Sequence, residues 1–71
     1  YLLTTRAEVY IAMGNLQLAR RDLQRAQELR PNFPEIFDLL ARICRAEGDD
    51  AGAEKYLQEA LKIRAGGASD Q

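Results

Sequence analysis

At 71 residues the chain has room for one small domain, near the lower limit at which a single core sustains itself without help. One cysteine and no histidine exclude an internal disulfide and leave no structural zinc site. Ten basic against eleven acidic residues, a net charge of −1, lack the basic excess of a nucleic-acid binder and the cationic apolar helix of a membrane-surface segment.

Residues 1–13 set Leu2, Leu3, Arg6, Ala7, Val9, Tyr10 and Met13 at helical spacing, which predicts a first helix. Gly14 and Asn15 interrupt it, and Leu16, Ala19, Leu23, Ala26 and Leu29 or Arg30 resume the pattern over 16–30. In Arg30-Pro31-Asn32-Phe33-Pro34 the two prolines bracket a connection, with Asn32 as the expected cap and Pro34 in the next first turn, where a missing N–H costs nothing. A third helix over about 35–46 buries Ile36, Phe37, Leu40, Ala41, Ile43 and Cys44. Asp49 or Asp50 caps a fourth over about 51–64, which carries Ala53, Tyr56, Leu57, Ala60, Leu61 and Ile63. Gly66 is the expected helix stop, and 66–71 reads as a disordered tail. No run of alternating β-branched residues bounded by turns supports a strand, so the fold class is all-α, four helices joined by tight turns. No apolar run spans a bilayer and no signal segment opens the chain. Tyr1 in first place suggests a segment of a longer protein, and one cysteine leaves the compartment open.

A shift of 34 residues accounts for the glycine in the middle of the first helical stretch. Ala7, Ala12, Gly14, Ala19, Leu23, Gln24, Ala26 and Arg30 return as Ala41, Ala46, Gly48, Ala53, Leu57, Gln58, Ala60 and Arg64. Eight identities at one offset stand against roughly two expected at ordinary composition. Leu2 with Ile36, Leu3 with Phe37, Val9 with Ile43, Asn15 with Asp49 and Leu29 with Ile63 are similar pairs. A 34-residue period enclosing a helix–turn–helix is the mark of a helical repeat array.

With these residues in place the chain resembles two consecutive tetratricopeptide (TPR) repeats, 1–34 and 35–65, an antiparallel α-solenoid fragment. The resemblance puts the family's structural positions on Ala7, Tyr10, Gly14, Ala19, Leu23, Ala26 and Pro31, then on Ala41, Cys44, Gly48, Ala53, Leu57 and Ala60. The alanines suit close helix approach, where a larger side chain would wedge the helices apart. Gly14 and Gly48 suit a corner that β-carbons resist. Four residues depart from the pattern: Leu3 where an aromatic is expected, Arg6 for leucine, Asp50 opening the fourth helix, and Ala65 for the terminal proline. Arg6 suggests an atypical first repeat or one whose neighbour has been removed, and Ala65 before Gly66 suggests that the array stops there.

Catalysis finds no support. Cys44 lies on the packing face with no histidine to activate it, Asp49 and Asp50 read as a cap, and the glycines at 66–67 lack the strand and lysine of a phosphate loop. Neither a cofactor nor a small-molecule substrate is therefore expected. Arg20, Arg21 and Arg25, with Asp22 among them, read as a solvated outer face. The resemblance implies a protein or peptide partner on the concave surface: Thr4, Thr5, Glu8, Ile11, Ala12 and Asn15 from the first repeat, Glu35, Asp38, Leu39, Arg42, Arg45 and Ala46 from the second. The lysine and asparagine that clamp chaperone-tail carboxylates in some family members are here Thr4 and Glu8, which disfavours that ligand. Arg42 and Arg45 suit acidic groups, with Glu8 and Asp38 as competing intramolecular partners. Repeats bury their faces on neighbours and about three are needed for stability. Two repeats therefore leave an open C-terminal face drawn from Phe37, Leu40, Tyr56, Leu57, Leu61 and Ile63, through which a homodimer is expected. The functional expectation is an interaction module. The alternatives are a homo-oligomerisation segment and an accessory piece of an enzyme whose catalytic domain lies elsewhere.

Overall fold

The structure, a computed structural model, describes residues 2–69. Four helices run in order, α1 (Leu2–Met13), α2 (Leu16–Leu29), α3 (Pro34–Ala46) and α4 (Asp50–Ser69), with no strand among the described residues. They form two antiparallel hairpins, α1–α2 and α3–α4, and α3 packs against both helices of the first.

The glycines make the corners. Gly14 has φ +84° and Gly48 φ +82°, the left-handed region where a β-carbon is strained. Each corner closes with two backbone bonds. Gly14 N–H donates to Ile11 and Asn15 N–H to Tyr10, at 3.0 and 2.8 Å; Gly48 donates to Arg45 and Asp49 to Cys44, at 3.0 and 2.7 Å. This 5→2 and 6→1 pairing is the Schellman arrangement, which satisfies the last carbonyls of a helix. The interruption after Met13 is thus the turn of a helical hairpin.

The opposite ends differ in chemistry. Asp49 caps α4 by accepting from Gly52 N–H at 3.0 Å, whereas Asn15, its counterpart before α2, makes no side-chain cap bond. A β-carbon at Gly52 would overlap the Asp49 carboxylate and lie 3.2 Å from Cys44 Sγ, so glycine here makes room for both. Pro34 takes the first position of α3, as expected, but the residue before it is Phe33 and makes no cap bond, so Asn32 is not the cap. The expected stop at Gly66 is also absent, since α4 runs on to Ser69. The cause is the residue at 65. Pro31 follows α2 and forbids its continuation, while Ala65, in the same place one repeat later, is the best of helix formers, and Gly66 has no positive φ to end the helix. Of the tail expected over 66–71, Asp70 and Gln71 lie outside the described residues.

Two clusters hold the fold. Inside the second hairpin Ala41, Cys44 and Ala53 meet beneath Tyr56. The larger cluster gathers Ala7, Ala19, Leu23 and Ala26 of the first hairpin with Ile36, Phe37, Leu39, Leu40 and Ile43 of α3. This joint between hairpins is the main core.

An ion pair replaces an apolar pair in the first repeat. Arg6 Nε and Nη2 donate to the two oxygens of Asp22 at 2.9 and 2.8 Å, and Arg6 also lies over the Tyr10 ring at 5.8 Å. Asp22 is only 6% exposed. One repeat later the same two places hold Leu40 and Tyr56. Asp22 therefore does not belong to the solvated outer face expected for Arg20, Arg21 and Arg25. The hydrogen bonds from Arg6 hold its carboxyl below the usual carboxylate range, and those from Arg20 do the same for Glu47. A depressed folded-state pKa contributes stability that is present above the unfolded value, about 4, and is lost as pH falls through the folded one. Thermal melts should therefore weaken progressively below about pH 4, and D22N should flatten that acid limb more than E47Q, because the Arg20–Glu47 pair is exposed and screened. An acid limb unchanged by D22N would contradict the assignment.

Candidate functional site

The first-hairpin residues expected on the concave surface divide sharply. Glu8 and Asn15 are exposed, as are Thr5 and Ala12, but Ile11 packs partly against the core and Thr4 is buried. Thr4 is therefore corrected from a partner contact to an interior residue. Its counterpart in the second repeat, Asp38, is half-buried and receives Arg64 Nη2 at 2.6 Å. That pair ties α4 to α3. It also answers the competition expected for Asp38, since the cation that holds it comes from the neighbouring helix and not from Arg42 or Arg45.

Arg42 and Arg45 are both exposed on α3, three positions apart and hence neighbours on the helix surface. Neither makes an ion pair or side-chain hydrogen bond among the described residues. Glu8 holds on α1 the place that Arg42 holds on α3, and is exposed and unpaired in the same sense. With Asp38 held by Arg64, the two guanidinium groups on one side of α3 stand without a carboxylate partner among the described residues, while Glu8 and Glu35 are exposed carboxylates of the same surface. Guanidinium groups are suited to carboxylates through paired N–H donors. Leu39, also expected on this surface, is buried in the main core, while Glu35 and Ala46 are exposed.

The expected C-terminal face needs a similar division. Phe37 and Leu40 are buried and belong to the core; Phe37 stacks on Tyr56 with centroids 6.2 Å apart. Both are corrected from the open face, because α3 turns them toward the interior of its own molecule. Tyr56 and Ile63 are half-buried against the same core. Leu57 and Leu61 remain outside, at 37% and 65% exposure.

On the outer side Arg21 and Arg25 are exposed, whereas Arg20 reaches Glu47 at the end of α3 with bonds of 2.8 and 3.1 Å. This link between hairpins went unread in the sequence, as did Arg6–Asp22. The signal for the latter was present: Arg6 and Asp22 depart together from two positions that are apolar in the second repeat. Cys44 is buried, and no group of three or more potential metal ligands occurs among the described residues. One shallow depression at the start of α4 is lined by Asp49, Ala51, Gly52, Glu54, Lys55 and Gln58. None of the described helices is long and apolar enough to cross a membrane.

Family models of the tetratricopeptide repeat match the chain twice, over residues 1–33 and 34–66. No curated protein and no solved structure matches it.

Proposed function

The chain belongs to the tetratricopeptide-repeat family, whose members generally serve as protein–protein interaction modules, and from that premise we propose that it binds an extended acidic segment of a partner protein on the side of α3 that carries Arg42 and Arg45. The module has no chemistry of its own. It holds a partner by charge and shape, with α1 and α3 side by side as the platform.

One observation carries this reading: Arg42 and Arg45 are exposed cations without an acid partner among the described residues, although acids stand nearby in sequence. Surface arginines are usually solvated and neutral to stability, so conserving the fold does not require them. Carboxylates spaced along an extended peptide would find two guanidinium groups at helical spacing, with Glu8 at the far edge disfavouring acid there and setting direction. The chaperone-tail clamp has no counterpart here, because Thr4 is buried and Glu8 carries the wrong charge.

A labelled Asp/Glu-rich peptide titrated by fluorescence anisotropy tests the proposal. Binding should weaken as salt rises, by screening, and the double reversal R42E/R45E should abolish it while circular dichroism stays unchanged. R21E/R25E on the outer face should leave binding intact. An affinity indifferent to R42E/R45E, or lost equally with R21E/R25E, would place the site elsewhere.

A further inference from the structure

The repeat relation makes the joint between the two hairpins a template for what their outer ends can do. At that joint Leu23 of α2 is fully covered, and Ile36, Leu39 and Ile43 of α3 share its cluster. Moved on by one repeat, Leu23 becomes Leu57, which is 37% exposed, and Gln27 becomes Leu61, 65% exposed. Moved back by one repeat, Leu39 and Ile43 become Thr5 and Val9, and Glu47 becomes Met13. Val9 is 51% exposed and Met13 66%. Each end therefore displays one half of the internal joint. Among the described residues six large hydrophobics are exposed, and four of them, Val9, Met13, Leu57 and Leu61, lie at these two ends.

We infer that a second copy of this chain docks its α1 on α4 of the first, head to tail, as α3 docks on α2 within one molecule. The operation that relates the two hairpins, applied once more, continues the same stack and covers Leu57 and Leu61 with Val9 and Thr5. Such a contact is heterologous. It joins two different surfaces, so it leaves a free end on each side and extends with concentration into longer assemblies. The polar rim differs from the internal one. There Arg20 pairs with Glu47, whereas the corresponding residues across the new joint are Glu54 and Met13. That place thus supplies no ion pair, and the contact is held by its apolar centre. It uses neither Arg42 nor Arg45, so it stands apart from the peptide-binding proposal.

Light scattering on the intact chain over a wide range of concentration tests it. The apparent mass should rise with concentration, and V9E and L61E should each reduce it to that of a monomer. Both positions are exposed, and circular dichroism should confirm the fold of each variant. The decisive sample is an equal mixture of the two. V9E keeps a sound α4 and L61E a sound α1, so together they should form a single joint and give twice the monomer mass, and no more. E54L, which puts an apolar side chain opposite Met13, should strengthen association of the otherwise unaltered chain. A monomer at every concentration would overturn the inference. So would association blocked by L61E but untouched by V9E, which marks a two-fold contact of α4 with itself, and so would a mixture that stays monomeric.

Discussion

Leu23→Ala should destabilise the chain by about 2–5 kcal/mol, while Leu57→Ala, at the same place one repeat later, should cost less than half as much. Leu23 is fully buried between α1, α2 and α3, so removing its side chain forfeits transfer free energy and leaves a cavity that the small surrounding residues Ala7, Ala19 and Ala26 cannot fill. Leu57 already meets solvent over more than a third of its surface. Its truncation opens no closed cavity. Against the total stability of a small domain, roughly 5–15 kcal/mol, that loss is a large share. Urea titrations of dilute samples, where association does not contribute, measure both. Equal losses would mean that the joint between hairpins is not where the core sits.

The second large effect runs in the opposite steric direction. Ala19→Leu and Ala53→Leu should each cost about 1–3 kcal/mol by overpacking. Ala19 and Ala53 are buried where the two helices of each hairpin approach, Ala53 directly against Ala41 and Cys44. A leucine at either place forces the helices apart or twists neighbours off their rotamers. Arg21→Ala, on the exposed outer side of α2, should stay within about 0.5 kcal/mol of neutral. Thermal melts followed by circular dichroism distinguish these outcomes, and a larger loss from Arg21→Ala would invert the assignment of faces.

Periodicity and the offset of 34 carried most of the fold. Gly14 and Gly48 could be read as corners because a breaker recurring at one interval inside apolar stretches has few other uses, and their positive φ is what a glycine there is for. Pro31 and Pro34 fixed the connection between hairpins for a similar reason: proline constrains the backbone whatever surrounds it. The readings that failed depended on which neighbour covers a residue. Counting repeats puts Phe37 and Leu40 on a face left open by a missing neighbour, yet α3 is the shared wall of both hairpins, and only their packing decides that its apolar side turns inward. Thr4 was lost to the interior in the same way. Asp38 and Arg64 are 26 residues apart, and Arg20 and Glu47 are 27, distances at which local spacing carries no information. Asp22 was misplaced because it was judged by its arginine neighbours in sequence instead of by its counterpart Tyr56. The extension of α4 past Gly66 shows a related limit. A glycine stops a helix when the turn after it needs a left-handed residue, and Gly66 lies inside α4, which runs on to Ser69.

The surface that binds a partner is the point on which the functional reading depends. Amide chemical-shift mapping of the isotope-labelled chain, titrated with an Asp/Glu-rich peptide, examines it residue by residue. The expected result is a contiguous set of shifts on α3 around Arg42 and Arg45 that reaches Glu8 on α1 and fades with added salt. Shifts confined to Arg21 and Arg25 on α2, or to Leu57 and Leu61 on α4, would contradict it.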